Sequence, residues 1–332
     1  MSLIHIVITV YTSLLCVMME VKVTGAYVDS KVSPSVYINS SSEPISADEG
    51  QWAGHVAQLV AVKVQTGCGR MQNRLVTFED GTKACARYRV NSNLMQGEIY
   101  SYFLAQLLGI KNLPPLALAL PDINTRQWSR VADAVLQSQW QADKLIILTK
   151  YISNINEVVL PQKLKGLLKE GVTPKDLTQN NMELYAQWSD LIIFDYIIGN
   201  MDRLVNSLHN QQWNSEIMDM PVHNLARKDN SLLFLDNEDG LFHGYRIMNR
   251  YSQYHEQSLH TVCVFRASTV SHIERLLQAN DLGQMLIDVV QKHEPKTLKY
   301  LPRISNKTMD TLTQRISNVM EHIRKCEQQY SS

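Results

Sequence analysis

Residues 199–208 read GNMDRLVNSL and follow an apolar run, LIIFDYII, at 191–198. Together with NNMELYAQWSD before it, that run spells a long apolar helix, and Gly199 and Asn200 are good C-terminal punctuation for it. Asp202 therefore falls just past the end of a buried element. Two readings are open. A carboxylate so placed is held rigidly yet faces a cleft, as a general base or metal ligand requires. Alternatively, Asp202 caps a helix that begins at Arg203, a position that Asp favours.

A second acidic site has the same form. SLLFLDNEDG at 231–240 is a short apolar strand broken by polar and flexible residues, with Asp236 at the break. Hard divalent cations take oxygen ligands, so Asp236 beside an Asn suits an ion carrying phosphates; DNEDG is also ordinary turn chemistry. Glu238 reads as solvated. Upstream, RLVTF (74–78) and KACARY (83–88) flank EDG, a hairpin signal because Gly accepts positive φ. Strand alternation puts Lys83, Cys85 and Arg87 on one face. MQGEIYSYFLAQLLGI (95–110) follows as a helix carrying Glu98, with Ile99, Phe103, Leu104 and Leu107 on its apolar side, and Pro114-Pro115 ends it. The second half is mainly helical and closes with amphipathic helices over 271–295 and 307–326. A basic strand, a Glu on a helix, a loop Asp and a post-strand Asp are the parts that phosphoryl transfer uses.

The 332 residues are 45% apolar and 19% charged, which suits a globule with a sizeable core. Lys plus Arg equals Asp plus Glu at 32 each, so no global field draws the chain to nucleic acid or an anionic membrane. There is no GxSxG, HExxH or GxxxxGK[ST] motif and no zinc-spaced cysteine set, which removes the readily read hydrolase, metalloprotease and P-loop classes. Leu3 to Met19 is apolar or weakly polar and VTGA follows it, so residues 1–26 read as a signal peptide or signal anchor. Residues 27–51 are rich in Ser and Pro and read as a stalk or linker, with the globular part beginning near Trp52. Cys68, Cys85, Cys263 and Cys326 then form an even lumenal set suited to disulfides, local pairing 68–85 and 263–326 being favoured among the three connectivities. Sequons for N-glycosylation stand at Asn39 and Asn306.

GCGRMQNRL (67–75), MQGEIYSYFLAQLLGI (95–110), FDYIIGNMDRLVNSL (194–208), FLDNEDGLFHGYR (234–246) and HTVCVFR (260–266) closely resemble the Four-jointed proteins. That family sits in a secretory-pathway kinase group with the Golgi casein kinase and a xylose kinase, and the resemblance runs from about Trp52 to Cys326. It implies an α+β, atypical two-lobed protein-kinase-like fold over 52–330, with a small β-rich N-lobe at about 52–120 and a mainly helical C-lobe at about 121–330. It implies a Golgi-lumenal or secreted, ATP-dependent Ser/Thr kinase using Mn²⁺ or Mg²⁺. The expected substrates are cadherin ectodomains of Fat and Dachsous type, in planar polarity and growth signalling. By the same resemblance Asp202 accepts the substrate hydroxyl proton, Asp236 binds metal, and Glu98 pairs with the phosphate-binding cation. That cation is Arg87, or Lys83 on the same face. Gly67 and Gly69 form the loop over the phosphates, or only a tight turn beside a disulfide. The Asn that ordinary kinases carry five residues after the catalytic Asp stands one place early, as Asn206, with Ser207 in its position. A secreted pseudokinase and a secretory-pathway glycan kinase are the alternatives.

Overall fold

The computed structural model describes residues 35–40, 51–69, 72–165, 171–279 and 281–330. The expected signal segment and most of the expected stalk lie outside these residues. Among the described residues no helix is long and apolar enough to cross a membrane.

The first lobe is built on a five-stranded antiparallel sheet in the order β2-β3-β4-β6-β5. Its strands are β2 (Ala61–Thr66), β3 (Arg74–Phe78), β4 (Lys83–Arg87), β5 (Leu116–Ala119) and β6 (Ile146–Lys150). Gly81 turns the β3–β4 hairpin at φ 87°, as the Asp-Gly pair predicts. Alternation along the strands splits the sheet between two cores. Val76, Phe78, Ala84, Ala86, Ile146 and Leu148 face an aromatic cluster of Trp52, Trp128 and Trp140. Helices α1 (Trp52–Val56) and α3 (Ala132–Gln137) belong to that face. Leu116, Leu118 and Ile147 face the main core, to which helix α2 (Ser92–Leu107) contributes Ile99, Tyr100, Phe103 and Leu104.

This arrangement moves the lobe boundary from the expected position near 120 to about 151. The hairpin partner of β5 is β6, and 128–140 supplies the aromatic layer beneath the sheet, so both belong to the first lobe. The expectation failed because the sequence between 120 and 145 has no strand pattern, although two of its tryptophans, Trp128 and Trp140, are core residues.

The second lobe centres on helix α5 (Met182–Ile198), buried on all sides from Tyr185 onward. A helix apolar all round belongs in the middle of a core. Gly199 ends it in the left-handed conformation at φ 68°. Around α5 lie helices α8 (Ser252–Leu259) and α11 (Asn306–Tyr330); α9 (Ala267–Gln278) packs on α11 and bonds Asp190 of α5 through Thr269, and α10 (Leu282–His293) packs on α2 and α11. Helices α4 (Gln162–Lys165), α6 (Leu204–Asn210) and α7 (Phe242–Ile247) complete the set among the described residues. A three-stranded sheet of β7 (Asn156–Val159), β8 (Pro221–Lys228) and β9 (Ser231–Phe234) carries the acidic loop on its last strand.

Part of the expected stalk is structural. Tyr37–Ile38 forms β1 and pairs in parallel with β10 (Phe265–Arg266). Val36 and Ile38 are buried, apolar side chains that the Ser/Pro-rich composition around them conceals. The two expected disulfides, Cys68–Cys85 and Cys263–Cys326, are both formed.

Candidate active site

A cleft of about 390 Å³ opens between the lobes, a size suited to a small-molecule ligand. Its apolar end is lined by Tyr102, Leu113, Leu116, Ile152, Ile155 and Leu233. Its polar lining is Arg87, Glu98, Asn224, Asp236 and Asn237, and Cys68 and Gly69 also line it.

Each charged group is delivered by a different element. Arg87 is the last residue of β4, directed to the cleft by the strand alternation. Its guanidinium is shared by three carboxylates: it contacts Asp236 directly, lies 2.8 Å from Glu238, and stands 3.9 Å from Glu98. Glu98 is buried on α2, and its Oε2 accepts the backbone N–H of Asn237 at 2.6 Å. The helix glutamate thus does two jobs, facing the cation and anchoring the loop that holds Asp236. Burial pushes the Glu98 carboxyl up, against the pull of Arg87. Burial acts to raise Asp236 as well and is the largest single influence there, but Arg87, Arg89 and Arg203 together hold that carboxyl below its ordinary value.

The same helix meets the acidic loop without a side chain between them. A Cβ on Gly97 would lie 2.3 Å from the Glu238 carbonyl oxygen and 2.8 Å from that of Gly240. Only glycine permits the approach that brings Glu98 to Asn237.

Asp202 stands at the edge of the cleft rather than in its lining, half-buried with a side-chain exposure of 40%. Its backbone N–H donates to Asn200 Oδ1 at 3.0 Å. Asn224 Nδ2 donates to Asp202 Oδ2 at 2.7 Å, and His223 Nδ1 lies 3.5 Å from the same oxygen. Both side-chain contacts reach Oδ2. Burial raises the Asp202 carboxyl, with His223 opposing and the Asp236 charge adding to the rise. Helix α6 starts at Leu204, and no side-chain cap bond is made at Arg203, so Asp202 is not held as the cap of that helix.

Arg203, fully buried, joins the two acidic segments. It pairs with Asp195 on α5 and donates to Leu235 O at 2.9 Å, to Asn237 Oδ1, and from Nε to Asn224 O at 3.2 Å. One guanidinium thereby fixes the Asp202 loop, the Asp236 loop and Asn224 relative to one another.

The expected site residues sort cleanly. Arg87, Glu98 and Asp236 meet, and Asp202 stands beside them. Lys83, four residues earlier on β4, is exposed and about 13 Å away at strand rise, so Arg87 is the cation at the cleft. Asn206 does not join the cluster. It lies within α6, where its side-chain oxygen accepts Asn210 Nδ2 at 2.7 Å, one turn on. Gly69 and Cys68 line the cleft, and Gly69 adopts φ 97°, in the region that favours glycine; Gly67 is one residue further back. Glu238 is not solvated but is bound by Arg87 and by Arg89, whose Nε is 2.9 Å away.

Sequence reasoning missed Arg203 and Asp195 as a buried pair, and missed Asn224, His223 and Arg89. A charged residue inside LIIFDYII was a signal, since a buried charge requires a partner. Asn224 and Asp236 share left-handed backbone, at φ 53° and 55°, and such strained residues concentrate at functional sites. No sequence pattern announces that.

The chain has known relatives. The family model of the Four-jointed box protein middle domain matches residues 47–329. The chain is 38% identical over 336 residues to the Drosophila melanogaster extracellular serine/threonine protein kinase four-jointed, covering 84% of this chain and 57% of that protein. It thus spans little more than half the length of that relative. Among solved structures it is similar to the Golgi casein kinase with Mn/ADP bound, at TM-score 0.53 and 14% identity, covering 83% of this chain and 75% of the other. It is also similar to hydra Fam20 with sugar, at TM-score 0.53 and 12% identity, covering 91% and 94%. These likenesses agree with the α+β, two-lobed kinase-like architecture described above. On the extent of the family match, this chain belongs to the Four-jointed family.

Proposed function

We propose that this chain is a secretory-pathway protein kinase that transfers the γ-phosphoryl group of ATP to Ser or Thr of cadherin-repeat ectodomains of Fat and Dachsous type, in planar polarity and growth signalling. The observation that carries the reading is the Arg87 cation shared by Glu98, Asp236 and Glu238 in an interlobe cleft, with Asp202 at its edge. The apolar end of the cleft suits a nucleobase, and Arg87 suits its phosphates, as a fork that keeps its charge. The oxygen donors of Asp236 and Glu98 fit a divalent ion, Mn²⁺ or Mg²⁺. Such an ion, when bound, supplies charge neutralisation at the phosphates. Arg203 holds the Asp202 and Asp236 loops in register, and Asp202 accepts the proton of the acceptor hydroxyl through Oδ1.

Chemistry supports the compartment in this reading as well. Two disulfides belong to an oxidising lumen, and Asn39 and Asn306 are exposed sequon residues available to N-glycosylation. The extracellular designation of the fly relative supports the same placement, in the Golgi lumen behind an N-terminal anchor or secreted.

Two other readings have observations behind them. A glycan acceptor is favoured by the likeness to a Fam20 protein with sugar. A pseudokinase that binds or activates a partner is favoured by the place of Asn206 inside α6, away from Asp236.

Full-length protein with labelled ATP and Mn²⁺ or Mg²⁺ is offered a cadherin-repeat fragment and, separately, a xylose-bearing glycan. Transfer to the fragment is expected, reduced about 10²–10⁴-fold by Asp202→Asn with nucleotide affinity kept. Transfer untouched by Asp202→Asn refutes the base assignment. Transfer to the glycan alone makes it a glycan kinase, and nucleotide binding without transfer to either makes it a pseudokinase.

A further inference from the structure

We propose that the Cys68–Cys85 disulfide positions the turn that receives the nucleotide phosphates, so that nucleotide affinity depends on its oxidation. The proposal rests on the kinase reading above.

Both half-cystines line the cleft, next to Gly69 and Arg87. The bond runs from the turn after β2 to the middle of β4, two residues before Arg87. Cys85 is a fixed post: it is paired with Leu75 on one side and with Thr149 on the other, inside the sheet. Cys68 is the opposite case. Its φ of 60° lies in the left-handed region, which side chains other than Gly, Asn and Asp seldom adopt, and Gly69 follows at 97°. A backbone of that kind persists when its surroundings determine it. The disulfide holds Cys68 from the side-chain end, and Asn73 Nδ2 donates to Cys68 O at 3.1 Å from the main-chain end. Asn73 is itself held, accepting Arg89 Nη1 at 2.7 Å on its Oδ1, and Arg89 pairs with Glu238, the partner of Arg87. The turn is therefore connected to the acidic cluster on one side and to the strand of the phosphate cation on the other. Successive backbone N–H groups in such a turn form an anion-binding concavity.

Cys68 and Cys85 are 17 residues apart, on segments already joined through β3, which pairs with both β2 and β4. What the bond adds is the place of the turn at the cleft. Cys263–Cys326 spans 63 residues within the second lobe and neither of its cysteines lines the cleft, so it serves as the comparison. Reduction by a dithiol transfers two electrons and two protons to Cys68–Cys85, giving two thiols, and leaves the reductant as a cyclic disulfide.

The test is nucleotide affinity of the full chain, measured with a fluorescent ATP analogue and Mn²⁺, together with thermal melting. The Cys68→Ser/Cys85→Ser double variant is expected to bind nucleotide tenfold or more weakly. Cys263→Ser/Cys326→Ser is expected to melt earlier with nucleotide affinity unchanged. A folded Cys68→Ser/Cys85→Ser protein with wild-type affinity overturns the proposal, as does equal loss of affinity in both double variants. Should the first variant not fold, wild-type protein is titrated with dithiothreitol and the thiols of Cys68 and Cys85 are scored by alkylation. Affinity that falls with their reduction supports the proposal, and affinity retained in the reduced fraction overturns it. Wild-type protein that binds no nucleotide overturns the kinase reading and this proposal with it, whereas binding insensitive to this bond overturns this proposal alone.

Discussion

Arg203 offers the most demanding test of how the site is held. Replacing it with Met keeps bulk in the buried slot and removes the guanidinium. Asp195 then remains as a buried carboxylate without its cation, and Leu235 O, Asn224 O and Asn237 Oδ1 lose a donor. Breaking a buried ion pair from one side costs about 3–5 kcal/mol. Each orphaned acceptor adds on the order of 1 kcal/mol where it cannot relax. Against a total stability of about 5–15 kcal/mol, this is a large fraction. For about 280 described residues, at about 2.1 cal/mol/K of unfolding entropy each, a loss of about 3–8 kcal/mol corresponds to a fall in melting temperature of roughly 5–14 °C. The decisive measurement is a double-mutant cycle by urea unfolding with Asp195→Asn. The second change removes the stranded charge, so the pair should be less destabilised than the sum of the singles, with a coupling of roughly 1–3 kcal/mol. Nucleotide affinity should stay low in the double variant, because the link between the loops of Asp202 and Asp236 is still gone. A coupling under about 0.5 kcal/mol, or Arg203→Met melting within about 2 °C of wild type, refutes the idea that this guanidinium organises the site.

Two further outcomes follow from close contacts. Gly97→Ala should separate α2 from the acidic loop, because its Cβ meets backbone oxygen at 2.3 Å; nucleotide affinity measured by calorimetry should fall at least tenfold, and wild-type affinity would show that Glu98 does not depend on that approach. Glu294 follows α10 and accepts the Leu118 backbone N–H of β5 at 2.8 Å, and burial raises its carboxyl to about 7. Because the folded state holds this proton more tightly than the unfolded state, stability from this group is greatest below about pH 4.5 and declines as pH rises towards 7. Glu294→Gln keeps an acceptor for Leu118 and should remove a penalty of up to roughly 3 kcal/mol at pH 7.5, flattening the pH dependence of urea stability; an unchanged slope between pH 5 and 7.5 counts against it.

Much of this fold was legible because its elements advertise themselves. The hairpin at 74–87 has strand alternation and an Asp-Gly turn, and helix α5 has a continuous apolar run with a glycine stop. Arg87, Glu98 and Asp236 were legible as ends or faces of such elements, although it took a family resemblance to bring them into one site. What sequence could not yield were contacts between distant segments. Nothing in PVHNLARK shows that Asn224 reaches Asp202, since that depends on a left-handed residue within a strand. Asn206 misled because counting residues from Asp202 ignores that the helix has already begun at Leu204. The aromatic layer of Trp128 and Trp140 was hidden for a related reason: its segment packs by shape, without the period of a helix or strand.

The short strand β1 sets a condition on where the chain can be cut without disturbing the second lobe. Ser40 contributes both its carbonyl and its hydroxyl to Arg266, a fully buried residue that also binds Asp190 and Glu183 on α5. A pull on the N-terminus is therefore delivered through β1 into the central helix of the second lobe, and not to Trp52 at the edge of the first. A protease that cuts upstream of Ser35 leaves β1 and its contacts with β10 and Arg266 in place. One that cuts between Ser40 and Trp52 strips a strand from β10 and exposes the Arg266 cation to its two acids alone. A chain trimmed upstream of Ser35 thus keeps Arg266 supported from both sides, and one trimmed after Ser40 does not.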